Sequence, residues 1–216
     1  GNEGLMKEYT NYISVTDSNY GKDLRDSFAN GSAPTNYGNW SARGISADKL
    51  IYWGESHDTW SNNQDWGFSN GMSQNVIDRA YAIAASRDGA TALYFSRPSS
   101  SYKDNIKVGE KGSTHFTSAE VAAVNHFHNA MVGQKDYFVN SNGCAVVCRN
   151  KGAVVVKGSG SGYVSVENGG STTAPGTYTD EITGNTFTVT SSTISGEVGS
   201  SGIAVIYNVT KTPSVS

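Results

Sequence analysis

Several features are scarce in this sequence of 216 residues, and each scarcity excludes a class of protein. Charged residues make up only 16% of the chain, and 19 Asp and Glu outnumber 16 Lys and Arg. A net charge of -3 offers no basic patch for phosphates, so we expect no nucleic acid as a partner. No run approaches the roughly 20 apolar residues that a membrane helix needs, so we expect no membrane partner.

Cysteine is also scarce, since the chain has only Cys144 and Cys148. On one strand they would share a face about 13 Å apart, at roughly 3.3 Å per residue. That separation exceeds the reach of a disulfide, and no second ligand pair for a metal lies nearby. We interpret both as small buried apolar residues.

A targeting signal is missing as well. No signal peptide is recognisable, and the first residue is Gly1 rather than a methionine. We therefore expect a processed product or a fragment, from which any export signal has been lost upstream.

The sequence up to about residue 133 alternates strand and helix signals. A helix starting near Thr117 begins with a capping box, Thr-Ser-Ala-Glu, and continues through Met131. Three strands and two helices come before it: strands Tyr12–Thr16, Leu50–Glu55 and Ala92–Phe95, and helices Gly21–Asn30 and Gln74–Arg87. Three βα units in succession predict a parallel sheet.

After Gly133 the pattern changes to short β-rich runs separated by Gly, Asn and Pro turns. The runs are Ala145–Cys148, Ala153–Val156, Tyr163–Val166, Thr186–Thr190 and Ile203–Tyr207. Five to eight strands punctuated in this way predict an antiparallel β-sandwich over residues 134–216, following a first domain of residues 1–133.

The most informative segment runs from Lys49 to Asn62. An apolar strand there ends abruptly in Ser-His-Asp, with His57 and Asp58 at its carboxyl tip. These two side chains can hydrogen-bond vicinal hydroxyls, and Trp60 offers a flat apolar face to a pyranose ring. The segment therefore predicts a sugar-binding site.

This segment resembles the fourth conserved region of the α-amylase family of glycoside hydrolases, in which a strand ends in His-Asp. Tyr12–Gly21 looks like the sixth strand of that family's barrel, Ser46–Asp58 like the seventh and Leu93–Pro98 like the eighth. The resemblance covers nearly the whole chain and is closest to bacterial α-amylases. It implies an α/β fold consisting of the last three βα units of a (β/α)₈ TIM barrel, followed by an all-β antiparallel sandwich.

The resemblance also implies roles for individual residues. Asp58 matches the carboxylate that stabilises the transition state, and His57 matches its sugar-binding neighbour. Trp60 and Asn62 fall where contacts to flanking glucose units are expected. The nucleophile and the general acid belong to earlier strands, and Glu3 lacks the preceding apolar strand that such an acid would need.

We therefore expect part of a secreted, extracellular α-amylase that hydrolyses starch and maltooligosaccharides with retention. The isolated chain would be inactive without its partner, the N-terminal half of the same enzyme. No cofactor is expected in this chain, and calcium is suspected for the complete enzyme. A non-catalytic glucan-binding protein and a barrel-completing subunit are the alternatives.

Other polar and aromatic residues have less specific interpretations. Glu55 is expected to be outward-facing or paired, and Arg97 to line a pocket floor or to pair with a carboxylate. His126 and His128 have metal-like spacing but point apart on a helix, so packing is favoured. Further candidates are His115 as a loop residue, and Trp40 and Trp66 as glucan platforms or lids over the core.

Overall fold

The first part of the molecule alternates strands and helices. The structure, a computed structural model, describes residues 3–38, 40, 44–61, 68–98 and 109–209. In chain order the elements are α1 (Glu3–Tyr9), β1 (Val15–Thr16), α2 (Ser18–Ala29), β2 (Leu50–Trp53), α3 (His57–Ser61), α4 (Gln74–Ser86), β3 (Thr91–Leu93) and α5 (Ala119–Ala130), with 3₁₀ turns at Ala47–Lys49 and His115–Thr117.

β1, β2 and β3 form a parallel sheet with β2 in the middle. A helix follows each strand, so the three predicted βα units are confirmed. The strands are shorter than expected, because the ladder between β1 and β2 joins only two residue pairs, beginning with Val15 and Leu50. Leu24 and Phe28 of α2 and Ile83 of α4 belong to the buried cluster that covers this sheet.

Serine hydroxyls cap the N-termini of α4 and α5. The Ser73 hydroxyl accepts a hydrogen bond from Val76 N at 3.3 Å and so caps α4. α5 is capped by Ser118, whose hydroxyl accepts from Val121 N at 3.4 Å. The predicted cap, Thr117, was therefore wrong by one residue, because Thr117 still lies in the preceding 3₁₀ turn.

Within the described ranges, no helix has both the length and the apolar character needed to cross a membrane.

The second part is an antiparallel sheet of eight strands, the upper end of the predicted number. The strands are β4 (Tyr137–Ser141), β5 (Cys144–Arg149), β6 (Gly152–Lys157), β7 (Gly162–Glu167), β8 (Gly176–Asp180), β9 (Thr186–Val189), β10 (Thr193–Val198) and β11 (Ile203–Val209). Their order across the sheet is β4-β5-β6-β11-β8-β9-β10-β7. Strands from both ends of this order share one buried cluster, so the sheet folds back on itself as a two-layered sandwich.

β5 and β6 are buried on both faces. Val147 and Val154 join the cluster that contains α4 and α5, while Cys148 and Val155 face the other layer of the sandwich. Cys144 and Cys148 are buried, unbridged cysteines, as predicted. Burial raises the pKa of the Cys148 thiol to about 11.

Arg149 joins the two parts of the molecule. Its guanidinium, 2% exposed, donates to the carbonyl oxygens of Ser86 and Met131 at 2.8 Å each and of Gln134 at 3.0 Å. These carbonyls lie at the carboxyl ends of α4 and α5, where a cation is favoured. The domain boundary at residue 133 stays a prediction; it falls in the connection between α5 and β4.

Candidate functional site

β2 carries the candidate site to the carboxyl edge of the parallel sheet. Leu50 and Tyr52 anchor this central strand in the core. Just beyond the strand, Gly54 passes close to α4, since a Cβ added there would lie 3.3 Å from the backbone nitrogen of Tyr81. The chain can therefore turn abruptly into α3 after this glycine.

A reciprocal pair of hydrogen bonds fixes the start of α3. Ser56 N donates to Thr59 Oγ1 at 3.0 Å, and Thr59 N donates to Ser56 Oγ at 3.3 Å. This arrangement is a capping box made with threonine in place of the usual Glu or Gln. It sets the orientation of the first two residues of the helix, His57 and Asp58.

His57 and Asp58 lie together at the solvent-facing edge of the sheet. Nε2 of His57 is 3.4 Å from Oδ1 of Asp58, and the side chains are 67% and 34% exposed. Ligands of parallel α/β sheets bind at the carboxyl ends of the strands, which is where β2 places this pair. The carboxylate can accept hydrogen bonds from neighbouring hydroxyl groups, and an imidazole N–H can donate to them.

Trp60 occupies a different environment from the one the sequence suggested. Its side chain is buried, at 8% exposure. The guanidinium carbon of Arg97 lies 4.3 Å from the centre of the indole ring, a separation typical of a cation–π contact. The face expected to meet a pyranose is thus part of the packing, and sugar contact by Trp60 stays an untested prediction.

Glu55 and Arg97 form a buried ion pair beside α3. Arg97 Nε and Nη2 donate to the two carboxylate oxygens of Glu55 at 2.8 and 2.7 Å. The side chains are only 1% exposed for Glu55 and 13% for Arg97. Of the alternatives predicted for Glu55 and Arg97, the one in which each residue forms an ion pair is therefore confirmed.

A second polar cluster was missed by the sequence analysis. Asp78, in α4, accepts from Gln74 Nε2 at 3.1 Å and Tyr94 OH at 3.2 Å, and its other oxygen lies 2.6 Å from His115 Nε2. Burial, together with the neighbouring Asp78 carboxylate, raises the pKa of Tyr94. The sequence feature that could have revealed this cluster is Asp78 itself, a carboxylate at a core-facing helix position next to Ile77. His115 lies in a 3₁₀ turn and is tied to α4 by this contact.

The remaining candidates do not converge on His57 and Asp58. Trp40 is buried, with its indole N–H donating to Asp17, so it covers the core rather than offering a platform. His128 Nδ1 donates to Ala85 O at 2.7 Å, and His126 is exposed. Asn62 and Trp66 lie outside the described residues. Across the described ranges, no three His, Cys, Asp or Glu are grouped so as to hold a metal ion.

An open cavity of about 780 Å³ lies at the other end of β2. Its lining includes Tyr37, Trp40, Arg87, Asp136 and Tyr137, and none of the predicted site residues. The polar pair at the carboxyl edge lies outside this cavity.

Comparison with known proteins supports the α-amylase resemblance. No protein-family model matches the sequence. An α-amylase from Clostridium acetobutylicum is 30% identical over 214 residues, which is 96% of this chain and 26% of the relative. An α-amylase from Butyrivibrio fibrisolvens is 30% identical over 234 residues, 95% of this chain and 23% of the relative.

The chain is similar to part of these α-amylases over nearly its whole length. It spans about a quarter of the length of the curated relatives it matches. The fold agrees, because crystalline α-amylase I from Eisenia fetida superposes with a TM-score of 0.69 at 18% identity, covering 94% of this chain and 51% of that one. The resemblance of this sequence to part of an α-amylase is thereby confirmed.

Proposed function

We propose that this chain is part of a secreted α-amylase that hydrolyses internal α-1,4-glucosidic bonds of starch and maltooligosaccharides with retention. One observation carries the proposal: in a chain similar to part of these α-amylases, His57 and Asp58 lie side by side at the carboxyl end of the central parallel strand. The homology supports the substrate class, and the geometry supports the placement of the site.

The role proposed for Asp58 is to stabilise the transition state. In retaining glycosidases a nucleophile and a general acid lie about 5–5.5 Å apart, and hydrogen bonds to ring hydroxyls strengthen as the sugar flattens. Asp58 would accept such bonds from the 2- and 3-hydroxyls, and His57 would hold the same sugar. Because these contacts improve in the transition state, they raise the rate more than they tighten substrate binding.

The nucleophile and acid are proposed to come from the remainder of the enzyme. Glu55 is unsuited to either role, since both of its oxygens are bound by Arg97. Glu3 lies at the start of α1 and not at the carboxyl end of β1, β2 or β3. The three βα units would then be the last three of eight in a closed barrel. Calcium is expected for the complete enzyme, and no described residue is assigned to it.

The test compares this chain, verified by intact mass, with the complete protein that its gene encodes. We expect starch hydrolysis by the complete protein and none by the isolated chain. In the complete protein, Asp58→Asn should lower kcat by about 10²–10³-fold, the usual cost of losing one transition-state contact. Glu120→Gln, which also removes a carboxylate from the first turn of a helix, is the matched control.

Each outcome separates the proposal from its alternatives. Hydrolysis by the verified chain alone would contradict the division of catalytic residues. Starch binding without hydrolysis by the complete protein would favour a non-catalytic glucan-binding protein. Activity that requires a separate N-terminal chain would identify a barrel-completing subunit.

A further inference from the structure

The ion pair between Glu55 and Arg97 lies where three segments near α3 meet: the ends of β2 and β3 and the chain at Ser69 and Met72. Glu55 lies three residues before Asp58, directly after the turn at Gly54. Arg97 lies beyond the end of the neighbouring strand β3, and its own carbonyl accepts from Ser113 N at 2.8 Å. The pair therefore ties the ends of two adjacent strands together at the edge that carries the site.

Arg97 uses its remaining donors to hold the chain that follows α3. Nη1 donates to Met72 O at 2.9 Å and Nη2 to Ser69 O at 3.2 Å. Ser69 in turn contacts α3, since its N donates to Thr59 O at 3.0 Å and its hydroxyl lies 2.9 Å from Thr59 Oγ1. Ser69 is thus bound to both Arg97 and α3, and Met72 is bound to Arg97.

The Arg97 guanidinium also contacts α3 itself, on the buried side of that helix. It stacks on Trp60, whose indole is on the buried side of α3, while His57 and Asp58 are on the side that reaches solvent. A planar fork that binds a carboxylate and covers an aromatic face is a chemistry that lysine cannot reproduce. Neither Glu55 nor Arg97 is exposed enough to meet a sugar directly.

We propose that Glu55 and Arg97 are positioning residues, which set the orientation of α3 and hence of the His57 and Asp58 side chains toward the sugar. This inference rests on the proposed function of that pair. Displacing a catalytic group by about 1 Å can cost up to about 100-fold in rate. The cation–π contact with Arg97 gives the Trp60 indole a function in holding the site.

The test uses Arg97→Lys and Glu55→Gln in the complete protein, assayed at temperatures where the variants remain folded. We expect kcat on a soluble maltooligosaccharide to fall roughly ten- to hundredfold, with a smaller change in KM. The double variant should cost no more than the worse single variant, because both changes break one contact.

Arg87→Lys is the matched control. Arg87 also pairs with a carboxylate, Asp136, and also lies over an aromatic ring, that of Tyr20, but it lines the cavity at the opposite end of β2. It should lower thermal stability while leaving kcat unchanged. An equal fall of kcat in Arg87→Lys and Arg97→Lys, or an unchanged kcat in Arg97→Lys, would overturn the positioning role.

A second measurement does not depend on activity. In the complete protein, the His57 ring resonance can be assigned by NMR as the signal that a His57→Gln variant lacks. It should move in Arg97→Lys and Glu55→Gln and stay in place in Arg87→Lys. If the wild-type complete protein does not hydrolyse starch, the proposed function fails, and this resonance alone decides the positioning role; a His57 signal unmoved in Arg97→Lys would overturn it.

Discussion

At the scale of single residues, the buried carboxylate of Asp136 stays ionised because charged and polar groups donate hydrogen bonds to it. Arg87 Nε donates to its carboxylate at 2.6 Å, and the backbone N–H of Asp88 donates to the same oxygen at 2.8 Å. Burial by itself would raise the pKa of Asp136, but the Arg87 guanidinium, the Asp88 N–H and the charge of Arg149 together outweigh burial and hold that pKa below the ordinary 3.8. Arg87 also donates to the hydroxyl of Tyr20 and to Tyr37 O.

This lowered pKa predicts acid sensitivity. Because the folded state binds the Asp136 proton less tightly than the unfolded chain does, the stabilisation is complete above about pH 4 and is lost as the pH falls through the lower folded pKa. Asp136→Asn should cost about 3–5 kcal/mol at pH 7, because it leaves Arg87 buried and unpaired.

Urea midpoints of the complete protein measured from pH 2 to 7 check this expectation. The profile of Asp136→Asn should be flatter than that of the wild type below pH 4. Asp26→Asn, which breaks the exposed pair with Lys22, should change stability by no more than about 1 kcal/mol. Parallel acid profiles for wild type and Asp136→Asn would contradict the assignment.

Residue chemistry could be predicted from the sequence where a local pattern determines it. His57 and Asp58 follow an apolar strand, so their position at a strand tip needed no distant partner. The burial of Trp60 depends on Arg97, 37 positions later, and the Asp78 cluster depends on His115, 37 positions away from it. Only the folded chain brings such groups together, so neither contact could be predicted from a local pattern.

At the scale of elements, the cap of α5 gives a discriminating prediction. Ser118 is extended, with φ -60° and ψ 154°, and its hydroxyl accepts from Val121 N, whereas the Thr117 hydroxyl donates to Thr114 O at the surface. Ser118→Ala should therefore cost about 1 kcal/mol of stability. Thr117→Ala should cost clearly less. Chemical denaturation of the two variants measures the difference, and the reverse order would show that the capping box begins at Thr117 after all.

Strands were predicted from the sequence only where apolar residues are dense. β5 and β6 are buried on both faces and so appear as continuous apolar runs. Three strands were missed: β4, which ends in the polar residues Asn140 and Ser141; β8, whose main apolar residue is Tyr178; and β10, which contains Gly196. That glycine is required, since a Cβ there would lie 2.6 Å from the ring of Phe187. α1, with seven residues, is too short for a clear helical period.

At the scale of the whole molecule, the two parts share one core although their sheets are separate. Val147 of β5 and Phe127 of α5 belong to the same buried cluster. Polar contacts reinforce the junction, because Arg79 of α4 donates to Lys157 O at 2.6 Å and to Gly160 O at 3.1 Å. The sandwich therefore serves as a support for α4, the helix against which Gly54 and the start of the site are packed.

The parallel sheet, by contrast, has no further strand beside either of its outer strands in the part of the chain that the structure describes. β1 and β3 are edge strands, and Leu93 at the end of β3 is 50% exposed. Parallel sheets are normally covered on both faces, and unpaired edges promote association. If this sheet is part of a barrel that the remainder of the enzyme completes, the isolated chain should self-associate with increasing concentration and bind a hydrophobic dye. The complete protein should do neither.

Sedimentation velocity over a hundredfold range of concentration, with dye fluorescence on the same samples, tests this expectation. Leu93→Ser in the isolated chain should reduce both signals, because it removes exposed apolar surface at an edge. Tyr163→Ser, a change at a residue 68% exposed on the sandwich, is the control and should leave both signals nearly unchanged. If the isolated chain is monomeric and binds no dye, its three-stranded parallel sheet is stable in solution without further strands. That result would favour an independent glucan-binding protein over one part of a closed barrel.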